Sequence, residues 1–450
     1  LSVLIVVLAF LAMLTVLVGI HEAGHAIVAR MCGARVTEFF IGMPFGPEVS
    51  YTSRRSGIKY GATLALLGGY TKISGMLPLD DRRAALVLAL VNARGRVTVE
   101  EAARVLGCGC DDAVLLLAAL AEWGSIEEDW PQGSRHGRRD YPAAYRTPAR
   151  DARGLTVLDR GHDFSLPGST AAGEPFFPAV SADAFLELER GRTYCGLSVP
   201  KRLAVLVAGV ACNLALAFLV FVLYYMLHGV PVLASLDVAA VSEGSVAAQA
   251  GMVEGDRIVS VAGHEVEGYD HLGTLLEEAR GTGPFVLAYS SSGEVVEATV
   301  ELGEGEMLGV EYAVAMQGLR FSDAARVSLA YMGAYAQAVM SLLNPTEAGE
   351  VLENSAGVVG IASMTQDAVE AGLWSVLTLL GMLSLSLGWM NLLPVPPLDG
   401  GKVVVEVVQL VLRRPVSVRV QNAVSLVGMA LFLTLFFYMV AQDVTRLMGM

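Results

Sequence analysis

The chain has 450 residues, 54% of them hydrophobic and 17% charged, with a formal net charge of −14. Its mean hydropathy of +0.54 is too apolar for an ordinary soluble enzyme. Four stretches, at about residues 2–32, 203–227, 373–393 and 424–440, are long enough to cross a bilayer. The first has no basic segment ahead of it, so it is expected to stay as a span rather than leave as a signal peptide.

In chain order, that first span (domain 1–33) carries His21-Glu22-Ala23-Gly24-His25. On a helix, His21 and His25 lie one turn apart on one face, where both imidazoles can hold one zinc ion. Glu22 then stands beside the metal to take a proton from water. Ionisable groups at membrane depth are costly and default to a functional reading; a polar kink in an anchor helix is the alternative. Residues 34–76 read as extended structure, with candidate strands at 36–41 and 57–62 and an apolar run at 64–73 broken by Gly68-Gly69. A run this short, with paired glycines, is expected to be an edge strand looping into the membrane near the metal and pairing with an extended substrate. A plain cytoplasmic hairpin is the alternative.

Residues 80–190 change character. An amphipathic helix is expected over 82–93, the capping box Thr98-Val-Glu-Glu101 opens a second ending at Leu106, and 111–123 makes a third. A short strand at 125–127 with a return at 155–158 completes a winged-helix-like pattern, common in DNA binding. The third helix is acidic and apolar, without the side chains that read base edges, so protein contact or self-association is expected and DNA binding is not. Leu115, Leu116 and Leu120 are expected in its core. The basic cluster Arg135, His136, Arg138 and Arg139 reads as a solvated loop, with lipid headgroups as the alternative contact. The five cysteines, Cys32, Cys108, Cys110, Cys195 and Cys212, are expected as free thiols. Cys108-Gly-Cys110 lacks the second pair a metal site needs.

After the second span (203–227), residues 233–315 read as a compact α+β domain. Ser245 to Gly255-Asp256 leads into a strand at 257–261, followed by a helix at 269–280 and strands at 285–289 and 295–302. That is the pattern of a PDZ domain, which binds extended peptide by strand addition; His264 and His271 within it read as surface residues. The third span (373–402) ends in Asn391-Leu-Leu-Pro394-Val-Pro396-Pro397-Leu-Asp399-Gly400-Gly401. Asp399 needs a partner there, and a zinc on two histidines needs one more protein ligand and an open position; an N-cap role is the alternative. Asn213 and Asn391, polar within apolar segments, are candidates to bond substrate backbone or to bridge helices.

Orientation follows from Lys and Arg near the span ends. Arg30, Arg35, Lys201 and Arg202 flank the first loop, and Lys402, Arg413, Arg414 and Arg419 follow the third span, so both regions are expected in the cytoplasm. Residues 237–311 hold many acids against only Arg257 and Arg280. This segment and both termini are expected outside, with the insert at 80–190 inside and the fourth span at 424–440.

The order of His21-Glu-Ala-Gly-His25, Gly68-Gly69-Tyr70, Asn213, a PDZ domain and Asn391 through Asp399-Gly-Gly401 resembles the site-2 protease family of intramembrane zinc metalloproteases. Within it the similarity is to the regulator-of-sigma-E protease (RseP-type) branch, with four spans and a PDZ insertion between the second and third. It covers nearly everything except about 78–190. The resemblance implies one Zn(2+) per chain on His21, His25 and Asp399, Glu22 as catalytic base, and substrate-holding roles for Gly68, Gly69, Asn213 and Asn391. It also implies a multi-pass protein of the bacterial inner membrane that hydrolyses peptide bonds inside single-span membrane proteins, typically anti-sigma factors or signal-peptide remnants. The PDZ domain would act as a size filter or a peptide reader, and the oligomeric state stays open. The chain departs from the family pattern where Leu67, Val210 and Val358 each replace a usual Pro, and in its winged-helix-like insert. Two other classes remain: a non-catalytic scaffold or sensor of the same fold, which has no need of Glu22, and a zinc transporter, which needs several ligand sets along a path.

Overall fold

Segments apolar on every face form four long helices of the computed structural model, which describes residues 3–447 apart from 45, 65–67, 77–78, 80, 131–140, 304, 345, 350–355 and 415. Val3–Cys32, Val199–Leu227, Leu373–Leu392 and Val418–Leu447 hold 20 to 30 residues each. A 30-residue helix rises about 45 Å, more than the roughly 30 Å of a hydrocarbon core. Among the described residues, four helices are long and apolar enough to cross a membrane. Leu4, Leu426, Val427 and Phe437 stay exposed on them, a pattern that lipid, unlike water, tolerates.

The chain forms two compact units, Leu1–Val220 with Ser328–Met450, and Phe221–Val327. In the first unit, a four-stranded sheet follows the first helix in the order Glu48–Thr52, Lys59–Thr63, Val36–Ile41, Gly69–Ile73. The two strands expected at 36–41 and 57–62 run parallel, so they do not form a hairpin with each other. The hairpin is made by the unforeseen strand Glu48–Thr52 with Lys59–Thr63. Gly69–Ile73 pairs antiparallel with Val36–Ile41 and is the end strand of the order, as expected. Residues 65–67 of the anticipated run lie outside the described residues.

The expected third span at 373–402 is two helices. It stops at Leu392, because Pro394, Pro396 and Pro397 remove backbone donors and block helical continuation. A new helix runs from Asp399 to Leu412. Leu398 is its N-cap and Asp399 its first residue, so Asp399 is not the cap. The glycines that follow are required by close approach: a Cβ on Gly400 would meet Leu392 O at 2.2 Å, and one on Gly401 would meet Pro396 N at 2.4 Å. The helices Phe321–Ser341 and Val358–Ala371 were not foreseen. The second is capped from the fourth long helix, where the buried Asp443 accepts from Gly357 N (3.1 Å) and Gly360 N (2.8 Å).

The insert runs helix Ala84–Arg94, strand Arg96–Thr98, helix Val99–Leu106, helix Cys110–Glu122, strand Glu127–Asp129 and strand Ala144–Arg146. The capping box forms: Thr98 Oγ1 accepts from Glu101 N, and Glu101 Oε2 accepts from Thr98 N. Two expectations are corrected. The returning strand is Ala144–Arg146, which lies between the other two. Residues 155–158 are instead turns fixed by Asp151 and Asp159, whose carboxylates accept from Leu155 N and Thr156 N. Leu116, Leu117 and Leu120 are buried, but Leu115 is exposed, since at about 3.6 residues per turn positions 113, 116, 117 and 120 share one face and 115 falls on the opposite one. The Arg135 cluster lies outside the described residues. All five cysteines are free.

In the second unit, strands Val230–Val241, Arg257–Val261, Phe285–Ser291, Glu294–Val300 and Val310–Gln317 form one sheet, with the short His264–Glu265 paired to Arg257–Val261. The helix Tyr269–Ala279 packs Leu272 and Leu275 into a core with Val261 and Leu287. The middle strands and the helix lie where the sequence pattern places them, while the long pair Val230–Val241 with Val310–Gln317 has no counterpart in that pattern.

Candidate metal centre

His21 and His25 both project from the buried stripe of the first helix, and the turn after the third span brings Asp399 to them. Asp399 Oδ2 lies 3.0 Å from His21 Nε2 and 3.1 Å from His25 Nε2, and the two Nε2 atoms are 3.2 Å apart. All three residues are buried. Their ligand atoms form the one group among the described residues with metal-binding geometry.

The donor set fits zinc. Two donors on a tetrahedral zinc lie roughly 3.3 Å apart, close to all three distances. His25 Nδ1 stands 2.7 Å from the Val205 carbonyl, which accepts a proton and not a lone pair, so Nδ1 carries the hydrogen and Nε2 is left as a bare acceptor. Asn213 Nδ2 lies 3.3 Å from His21 Nδ1, while its buried Oδ1 has no partner among the described residues. With the amide turned over, that oxygen accepts from Nδ1–H and fixes the second ring in the same sense. With both rings in that sense, three acceptor atoms converge without a hydrogen between them, an arrangement that suits a cation.

Close packing holds the rings in place. A Cβ on Gly209 would lie 2.4 Å from His25 Nε2 and 2.8 Å from His21 Nε2, and one on Gly24 would strike Ala208 O at 2.6 Å. These glycines let the first and second long helices meet at the imidazoles. Sequence reasoning missed Gly209, although it sits one turn before Asn213, on the same helix face.

A cleft of about 200 Å³ opens on the cluster, lined also by Glu22, Gly69, Tyr70, Thr71, Tyr194 and Lys402. The strand Gly69–Ile73 is fastened beside the metal helix: Thr71 Oγ1 donates to Glu22 O at 3.0 Å, and a Cβ on Gly69 would meet Val18 at 2.6 Å and Glu22 Cγ at 3.2 Å. Gly42 N donates to Gly68 O, and Phe40 is opposite Tyr70. Antiparallel alternation then turns the Tyr70 main chain inward and the Gly69 and Thr71 N–H groups outward. Tyr194, supplied by the segment after the insert, has its phenol pushed up by burial and donates to Glu406 Oε1 at 3.3 Å.

The expected site residues thus divide. His21, Glu22, His25, Asp399 and Gly69 meet at the cleft, and Gly68 anchors the loop leading to it. Asn213, expected to meet substrate, is fully buried against His21. Asn391 is half-buried near the end of its helix and is not among the residues lining the cleft.

Four apolar helices and a buried two-histidine, one-carboxylate set beside a cleft carboxylate define a membrane metalloenzyme. The profile of peptidase family M50 matches residues 9–435, and the chain belongs to that family. It is 26% identical to the zinc metalloprotease RasP of Shouchella clausii, over 98% of this chain and 99% of that one. It is 24% identical to the RasP of Geobacillus kaustophilus, over 98% of each. The chain is an intramembrane zinc metalloprotease.

Proposed function

We propose that His21, His25 and Asp399 hold the single zinc and that Glu22 is the base for hydrolysis of peptide bonds within transmembrane segments. The convergence of three buried acceptor atoms from helices 374 and 378 residues apart in sequence carries this reading. Zinc, when bound, supplies Lewis acidity that acidifies water and polarises a carbonyl. Glu22 lines the cleft next to the ligands, where its carboxylate takes the proton from water and passes it to the leaving amine. Asn213 and the Val205 carbonyl keep the two imidazoles in the ligating tautomer and orientation.

A closed helix hides its peptide bonds, so the substrate is a single span, locally unwound and added as a strand to the outward N–H groups of Gly69 and Thr71. Asn391 remains a candidate for holding it. The unit Phe221–Val327 is read as a PDZ domain on the outer side that filters substrates by size, and the insert as a cytoplasmic winged helix that meets protein rather than DNA. Both termini are then outside, in a bacterial inner membrane, and the substrates are anti-sigma factors or signal-peptide remnants. Cleavage of a transmembrane substrate by the purified chain tests the assignment. Glu22→Gln should keep its zinc and lose turnover, since a base is removed and no ligand. Equal loss of zinc in Glu22→Gln and His21→Ala would make Glu22 a ligand and overturn the role.

A further inference from the structure

Asp399 uses its two oxygens differently. Oδ2 faces both imidazoles, while Oδ1 is turned away and accepts from Lys402 Nζ at 3.1 Å. The two residues are three apart at the start of the helix Asp399–Leu412, so they share one helix face. Lys402 lines the cleft with about half its side chain exposed. Glu406, one turn further on, is buried and engaged elsewhere, by Arg202 and Tyr194. Lys402 therefore belongs to the metal site and not to that buried set.

An ion pair this exposed adds little to stability, so stability does not account for it. What it does decide is which carboxylate oxygen is free. A carboxylate ligates through one oxygen or through both, and with Oδ1 held toward the ammonium and away from the imidazoles, Oδ2 is the oxygen presented to the metal position. Two imidazoles and one such oxygen make three ligands and leave the fourth position that a hydrolytic zinc needs.

We propose that Lys402 is a positioning residue: by holding Oδ1 it restricts Asp399 to one-oxygen ligation and keeps the remaining position open for water and the scissile carbonyl. The inference rests on the zinc assignment to His21, His25 and Asp399. Without the ammonium, Oδ1 is free to turn onto the metal, so the protein itself fills the position.

The test uses the full chain, purified in detergent and loaded with zinc. Zinc content, zinc K-edge X-ray absorption, and kcat and KM on a transmembrane substrate are measured for wild type, Lys402→Met and Lys402→Arg. Lys402→Met should keep one zinc, bring the carboxylate carbon closer to the metal as two-oxygen ligation requires, and lower kcat about 10- to 100-fold with little change in KM. Lys402→Arg should restore both the metal environment and most of kcat. An unchanged metal environment or unchanged kcat in Lys402→Met would overturn the proposal, and so would loss of zinc from that variant alone. A wild-type chain that binds no zinc would instead overturn the metal assignment beneath it.

Discussion

Arg35, Arg150, Asp159 and Glu189 form one buried polar cluster, and His21, His25 and Asp399 form another; both lie in the same unit. In the first, every acid meets a guanidinium. Arg35 Nη2 reaches Asp159 Oδ2 at 2.7 Å and its Nη1 reaches Glu189 Oε2 at 2.7 Å, while Arg150 and Arg192 donate to Glu189 Oε1. Other donors go to the backbone oxygens of Trp123 and Ser125, and Arg150 Nε is left without a partner among the described residues. Charge closes within the protein, and the cluster joins the end of the first helix to the insert. In the second, two imidazole nitrogens and one carboxylate oxygen converge within 3.2 Å of one another. A closed network fixes architecture; one left open to a cation marks chemistry.

The largest effect on the metal should come from closing the open cluster with a side chain. Gly209→Val puts atoms where the imidazoles stand, and zinc affinity should fall at least 10- to 100-fold, as it does when a ligand's support is disturbed. Competition with a chelator measures it; wild-type affinity in this variant would mean that the rings do not depend on the second helix.

Opening the closed cluster should cost stability and leave the metal alone. Glu189→Gln exposes Arg35 and Arg150 to a partly unpaired interior, at about 3–5 kcal/mol. Faster proteolysis within the insert at unchanged zinc content is the expected outcome. Unchanged proteolysis would show that the cluster does not hold the insert. The same cluster predicts acid sensitivity. Burial alone would raise the Glu189 carboxyl, but Arg35, Arg150 and Arg192 overcome it and hold it well below the usual carboxylate range. Asp159 is likewise held down, mainly by Arg35 against its burial. A depressed carboxyl contributes stability that is complete above its unfolded pKa of about 4 and is lost as pH falls below it. Insert protection against proteolysis, followed from pH 7 downward, should decline in that acid window and not near neutrality.

The smallest effect concerns the strand beside the cleft. Thr71→Pro removes an outward N–H, and Thr71→Val serves as control because both lose the bond to Glu22 O. Cleavage by Thr71→Pro should fall roughly three- to ten-fold below the control, the value of one hydrogen bond, at constant zinc. Equal turnover would remove strand addition from the account.

Much of the second cluster was legible in the chain, because its chemistry is local. His21 and His25 announce themselves by spacing, and Asp399 by an acid behind prolines in an apolar stretch. The capping box at Thr98 was equally readable, since both partners lie within four residues. What escaped depends on neighbours far along the chain. Gly209 matters only because the first helix lies against it, and Asn213 reaches His21 only once two helices have packed. Glu189 looks like a surface acid until Arg35, 154 residues away, folds onto it. The strand at 155–158 failed for another reason: its apolar pattern is right, but Asp151 and Asp159 capture the local N–H groups and curl it into turns.

Zinc stoichiometry in wild type and Asp399→Ala, measured by elemental analysis on the full chain, tests the central claim most directly. Wild type should carry one zinc per chain, and Asp399→Ala should lose most of it while the insert keeps its wild-type proteolysis pattern. One zinc per chain in both proteins would contradict the account, because Asp399 would then be no ligand.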